Sequence, residues 1–271
     1  MSATPLEPAP QPSASLAPQK WPHHLWIVRH GQSAGNVARD QAERDGLPLI
    51  DITVRDMDTP LSTLGEQQAR SLAHWFRAMP ADKQPTVVMC SPYVRAWQTA
   101  RLLVEEGRLM GGTLQIIRDE RLREKEFGIL DRLTPLGIHQ RYPELSEQRT
   151  HVGKFYFRPP GGESWCDVIL RLRQVLETIT REHARENVLI VGHQVIVNCM
   201  RYLLERMDEQ TILDIDRQGD VPNCGVTHYA FDPHAGRHGK LCLCLANFVA
   251  PLMKEGTPVT VDQDVPGAPK S

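Results

Sequence analysis

Leu25-Trp26-Ile27-Val28-Arg29-His30-Gly31-Gln32-Ser33-Ala34-Gly35-Asn36 is the stretch from which the fold of this chain can be read. Apolar and aromatic residues, Ile27 and Val28 among them β-branched, run straight into Arg-His-Gly and then into a Ser/Gly/Asn turn. This is the pattern of a buried strand that delivers a polar tip to the edge of a sheet. An Arg and a His at such a tip can simply solvate a strand end. Gly31 favours a ligand instead, because it removes the side chain that would stand between His30 and a bound group. Ser33 and Asn36 add polar groups suited to an anion, and Arg29 adds a permanent charge. Ser33 also reads as the N-cap of a short helix running to about Glu43, whose first amides would face the same anion.

The segment Asn187–Gln194 repeats the pattern: a buried run, then Gly192, His193 at the tip, and a helix through Leu204. Val87–Cys90 is a second buried strand, leading through Ser91-Pro92 into a helix that carries Arg95 one turn in, and Leu114–Ile117 is a third. Two helices with apolar stripes separate these strands, one over Leu64, Ala69, Leu72, Ala73 and Phe76, the other over Leu170, Leu172, Val175, Leu176 and Ile179. Cys224–Phe231 and Leu241–Phe248 read as a hairpin joined by the Gly/His-rich turn Asp232–Gly239. Strands alternating with helices read as an α/β fold with parallel strands, in one large domain or two small ones by length alone.

A chain of 271 residues with 41% hydrophobic and 24% charged residues and a formal charge of −2 has no global positive field, so no nucleic-acid partner is expected. A phosphate ligand must be held by local arginines. No apolar run approaches the ~20 residues that span a bilayer, and no membrane partner is expected. The six cysteines are scattered without a Cys-x-x-Cys pair, which fits reduced thiols in a cytoplasmic protein. The eleven histidines contain no convincing ligand spacing, so no metal is expected.

With these residues in view, Arg29-His30-Gly31-Gln32-Ser33 and Asn36 resemble the signature of the histidine phosphatase superfamily, in its phosphoglycerate-mutase-like branch. Pro60-Leu61-Ser62-Thr63-Leu64-Gly65 resembles the family's Pro-Leu-Thr/Ser-x-x-Gly segment, and Ser91-x-x-x-Arg95-Ala96-x-x-Thr99-Ala100 matches its second motif at every fixed position. Gly162-Glu163-Ser164 and Gly192-His193 follow in the family's order. The resemblance implies a phosphoglycerate-mutase-like fold, one three-layer α/β/α sandwich with a mostly parallel central sheet, and an enzyme whose first histidine, His30, takes the phosphoryl group as phosphohistidine. It implies further that Arg29, Asn36, Arg95 and Gln194 bind phosphate and that His193 belongs to the catalytic set.

Four carboxylates between Asp119 and Glu126 compete for the role of general acid, and spacing alone does not choose among them. The resemblance does, because Leu122-x-Glu124-x-x-Phe127-Gly128 is similar to the family's Leu-x-Glu-x-x-x-Gly and nominates Glu124. Where many relatives then carry an aromatic-acidic-Gly run, this chain has Ile129-Leu130-Asp131-Arg132. Gln32, Ser33, Arg55 and Arg158 are candidates for substrate contact. Residues 133–160, without a strong period, read as a lid or substrate loop.

The chain divides into a disordered N-terminal arm (1–20), a histidine phosphatase domain (21–254) and a flexible C-terminal tail (255–271). The expected function is a phosphoric monoester hydrolase acting without cofactor on a small phosphorylated substrate. A mutase, which would return the phosphoryl group to a second hydroxyl, and a non-catalytic phospholigand-binding module are the alternatives.

Overall fold

The computed structural model describes residues 19–261. The expected N-terminal arm up to residue 18 and the expected tail from residue 262 lie outside the described residues. In chain order the elements are β1 (His24–Arg29), α1 (Ala34–Arg44), α2 (Thr63–Arg77), β2 (Val87–Cys90), α3 (Val94–Glu106) and β3 (Ile116–Arg118). There follow α4 (Pro135–Arg141), α5 (Pro143–Val152), α6 (Trp165–Glu182), β4 (Asn187–Gly192), α7 (Gln194–Glu205), α8 (Glu209–Gln218), β5 (Val226–Asp232), β6 (Lys240–Phe248) and α9 (Ala250–Lys254).

The six strands lie in the order β3-β2-β4-β1-β5-β6. The first four are parallel and the β5–β6 hairpin closes one side antiparallel. Side chains of a strand alternate between faces, and the alternation sorts the core into two layers. Leu25, Ile27, Met89, Val188 and Ile190 pack against α6 and α7. Trp26, Val28, Val88, Cys90, Leu189 and Val191 pack against α2 and α3. This is the expected α/β/α sandwich.

Three local expectations are corrected. Leu170 does not belong to the core stripe of α6: it is 63% exposed, and the buried face runs through Val168, Leu172, Val175 and Ile179. Those positions keep the helical repeat, from which Leu170 is displaced by about half a turn. Residues 133–160 are not a structureless loop, since they contain α4 and α5, and Ile138 and Phe157 pack with Leu130 and Leu133 in a small third cluster. The tail does not come loose at residue 255: Gln68 donates to the Pro258 carbonyl and to Thr260 Oγ1, both at 2.9 Å, and Asn223 N–H donates to the Thr260 carbonyl. Backbone groups that would otherwise be unsatisfied are thereby paired.

Register fixes the geometry of the strand tips. Arg29 pairs with Gly192 across the parallel β1–β4 ladder, and His30 N–H donates to the Gly192 carbonyl at 2.9 Å. The residues that follow each, His30 and His193, therefore emerge side by side at the carboxyl edge of the sheet.

Candidate active site

His30 and His193 meet with ring centroids 5.1 Å apart, and both are buried. His30 Nδ1 lies 2.7 Å from the Gly31 carbonyl oxygen, which can only accept, so Nδ1 carries the proton and Nε2 keeps its lone pair. Arg95 Nε donates to that Nε2 at 3.2 Å. Burial, and then the charges of Arg95 and Arg29, hold the His30 imidazole well below the ordinary histidine range. It is neutral near pH 7 and presents a nucleophilic nitrogen.

Gly31 earns its place differently from the sequence reading. An added Cβ there would sit 2.4 Å from the Gly65 carbonyl oxygen, because the first turn of α2 presses against the strand tip. Close backbone packing, not access for a ligand, excludes a side chain. Gly128 is likewise held by contact and by a φ of +57°, with an added Cβ only 2.1 Å from the Pro160 carbonyl oxygen.

The N-terminus of α1 forms as expected, with Ser33 as N-cap in a capping box in which Asn36 Oδ1 accepts from Ser33 N–H at 2.8 Å. Ser33 and Asn36 line the cleft together with Arg29, His30, Arg95, Glu124 and Gln194. Arg29 donates to Gln194 Oε1 at 2.9 Å and to the Val221 carbonyl at 2.5 Å. Gln194 in turn donates to Asp220 at 2.8 Å, so both ends of its amide already have protein partners. Its placement orients Arg29.

Of the four competing carboxylates, Glu124 alone faces the cleft. Its Oε2 lies 3.5 Å from His193 Nδ1, and its Oε1 accepts from Lys125 N–H. Asp119 pairs with Arg121, Glu120 opens a turn of 3-10 helix, and Glu126 accepts from the Tyr93 hydroxyl at 2.9 Å.

Three substrate candidates are not brought to the site. Gln32 is buried as scaffold, its side chain accepting from Ser62, the N-cap of α2. Arg55 is 72% exposed and pairs with Asp58, and Arg158 is 61% exposed and pairs with Asp167. Each arginine found a carboxylate close by in sequence.

Conversely, the cleft contains residues that were not among the site candidates, Arg39, Ile50, Ile52, Val54 and Asp56, together with Asp131 and Arg132 from the run that departs from the family pattern. Asp56 is an anion set against the Arg95 cation. Its backbone carbonyl accepts from Arg95 Nη1 at 2.7 Å and its carboxylate lies 3.1 Å from the same nitrogen. Arg132 donates to the Ile52 and Val54 carbonyls at 3.0 and 2.8 Å, tying the segment after β3 to the loop before α2. The alternation Ile50-x-Ile52-x-Val54 was the available signal for one apolar wall.

A sequence profile of the histidine phosphatase superfamily (branch 1) matches residues 25–241. A 6-phosphofructo-2-kinase/fructose-2,6-bisphosphatase of Caenorhabditis elegans is 31% identical over 224 residues, which cover 79% of this chain and 43% of that protein. The chain thus spans less than half the length of that relative. A 2,3-bisphosphoglycerate-dependent phosphoglycerate mutase of Methylorubrum extorquens is 29% identical over 201 residues, covering 73% of this chain and 86% of that one. Among solved structures, a mycobacterial glucosyl-3-phosphoglycerate phosphatase superposes with a TM-score of 0.63 at 24% identity, over 83% of this chain and 98% of that one, a likeness of fold.

Proposed function

The chain belongs to branch 1 of the histidine phosphatase superfamily, and from that premise we propose that it hydrolyses a small phosphomonoester through a phosphohistidine on His30. The observation that carries this reading is the orientation of His30, whose Nδ1–H is spent on the Gly31 carbonyl while Nε2 remains a lone pair beside Arg95. In the first step Nε2 attacks phosphorus, the P–O ester bond breaks, and the Glu124 carboxyl gives its proton to the departing oxygen. Glu124, now a carboxylate, takes a proton from the water that cleaves the P–N bond, and phosphate and neutral His30 result. Arg29 and Arg95 stabilise the charge that spreads over the equatorial oxygens.

The outer cleft is of mixed character. Its walls are apolar at Ile50, Ile52, Val54 and Phe127, and Asp56 and Asp131 add two carboxylates. Burial and the charge of Asp56 raise the Asp131 carboxyl, which makes it the more readily protonated of the two, and Arg39 and Arg132 set positive charge beside them. An alcohol portion that donates hydroxyl hydrogens suits this wall. The mutase reading has less support, because Ile129-Leu130-Asp131-Arg132 stands where many relatives carry an aromatic-acidic-Gly run.

No helix among the described residues is long and apolar enough to cross a membrane. The six cysteines are all free, which suits action in the cytoplasm. The test is a panel of phosphomonoesters assayed for phosphate release, with interconversion of phosphoglycerates measured in parallel. His30→Ala should abolish turnover while keeping the native melting temperature, and quenched native enzyme should carry an acid-labile, base-stable phosphoryl group. Turnover in the mutant within a few-fold of the native rate would overturn the assignment.

A further inference from the structure

His193 has no exposed surface, and its two ring nitrogens have different surroundings. Nε2 lies 2.8 Å from Ser91 Oγ, at the tip of the neighbouring strand β2. Nδ1 has no hydrogen-bond partner of good geometry, and the carboxylate oxygen Glu124 Oε2 lies 3.5 Å from it. The ring itself is fixed by the edges of Tyr93 and His30, with centroids at 5.3 and 5.1 Å. Rotation about the ring is thereby settled by packing. Which nitrogen carries the hydrogen is a separate matter, set by what each nitrogen meets.

Burial, and after it the charges of Arg95 and the other cations around the ring, keep His193 neutral, so it has one N–H to place. Ser91 is also fully buried, and its Oγ accepts from Tyr93 N–H at 3.2 Å. The hydroxyl proton still needs an acceptor, and among the described residues the one recorded within hydrogen-bond distance is His193 Nε2. The opposite tautomer would strand the Ser91 proton and turn an Nδ1 lone pair toward the phosphoryl oxygens, where negative charge accumulates.

We infer that Ser91 is a positioning residue: its hydroxyl donates to His193 Nε2 and so holds the imidazole in the tautomer that aims Nδ1–H at Glu124 and the phosphoryl group. The inference rests on the reading that this cleft binds a phosphoryl group. In that setting His193 is a neutral donor placed for the charge of the transition state. An Nδ1–H beside Glu124 also favours the carboxylate that must form after the leaving group is protonated. Ser91 touches neither substrate nor reacting atoms and acts only through His193.

The test reads the tautomer directly, by nitrogen-15 NMR of the imidazoles in the full chain, with the His193 signals identified by their absence in His193→Asn. Native protein should show a protonated Nδ1 and a hydrogen-bonded, unprotonated Nε2. Ser91→Ala should shift both nitrogens toward the average of the two tautomers. Ser91→Cys, which keeps a weaker donor of similar size, should give an intermediate spectrum, and it covers the case in which the alanine variant fails to fold. Kinetically, Ser91→Ala should lower kcat about tenfold with KM little changed, because the donor acts mostly in the transition state.

A native spectrum with the hydrogen on Nε2, or tautomer populations that do not respond to the substitution, would overturn the inference whatever the activity. A native protein with the expected tautomer that binds no inorganic phosphate and turns over no phosphomonoester would overturn the functional reading instead, and with it the catalytic role given to Ser91. The two failures are therefore told apart.

Discussion

Asp56→Asn is expected to improve substrate binding. Both terminal nitrogens of Arg95 face Asp56, through the backbone carbonyl and through the carboxylate, while Nε faces His30. A phosphate dianion that takes the guanidinium fork must displace the Asp56 carboxylate. The side chain of Arg95 is 6% exposed but that of Asp56 is 42% exposed, so water screens the pair and its worth is about 1 kcal/mol rather than the several of a buried pair. At about 1.4 kcal/mol per tenfold this corresponds to a roughly fivefold fall in KM and in the inhibition constant of inorganic phosphate. Asparagine keeps the backbone contact and the shape, so kcat should move little. Steady-state kinetics on one alkyl phosphate and inhibition by phosphate measure both quantities, and Arg55→Ala on the same loop serves as a control that should leave them unchanged. A KM that stays the same or rises would refute the reasoning, because Asp56 would then be neutral toward the substrate or bound to it.

Three further outcomes follow from the same geometry. Glu124→Gln should slow hydrolysis of alkyl phosphates far more than of p-nitrophenyl phosphate, since a nitrophenolate leaves without a proton, while Glu120→Gln and Glu126→Gln should show no leaving-group dependence; equal losses on both substrates would move the acid elsewhere. His30 must be neutral to attack and its pKa is pushed down, so activity corrected for the substrate's own ionisation near pH 6 should persist as pH falls through 6.5 and fail only at lower pH. Removing one of the depressing charges with Arg95→Gln should move that acid limb upward, and a native limb at or above 6.5 would contradict the assignment. Gly31→Ala should lower the melting temperature by an amount equivalent to about 1–3 kcal/mol as the Gly65 carbonyl is forced aside, and an unchanged melting curve would show that the contact yields freely.

The sequence by itself determined the strands of the sheet and the polar residues that end them, because each rests on a local pattern. Runs such as Leu25–Val28 and Val188–Val191 are apolar at every position, which only a strand covered on both faces tolerates, and a polar residue ending such a run must sit at the sheet edge. Two histidines ending two adjacent parallel strands then meet by register. Ser33 announced its own helix by capping it. The tertiary structure alone decided which charged side chains reach the cleft. Arg55 and Arg158 lie outside helices and strands and Asp56 opens a three-residue turn of 3-10 helix, so no periodicity gives any of them a direction. Asp58 and Asp167 draw the two arginines aside, while Asp56 is set against Arg95 from a helix nearly forty residues away. The hydrogen bond of Ser91 to His193 spans a still longer separation. A long side chain goes where a partner satisfies its charge, and that partner is chosen by the packing of distant segments rather than by neighbours in the chain.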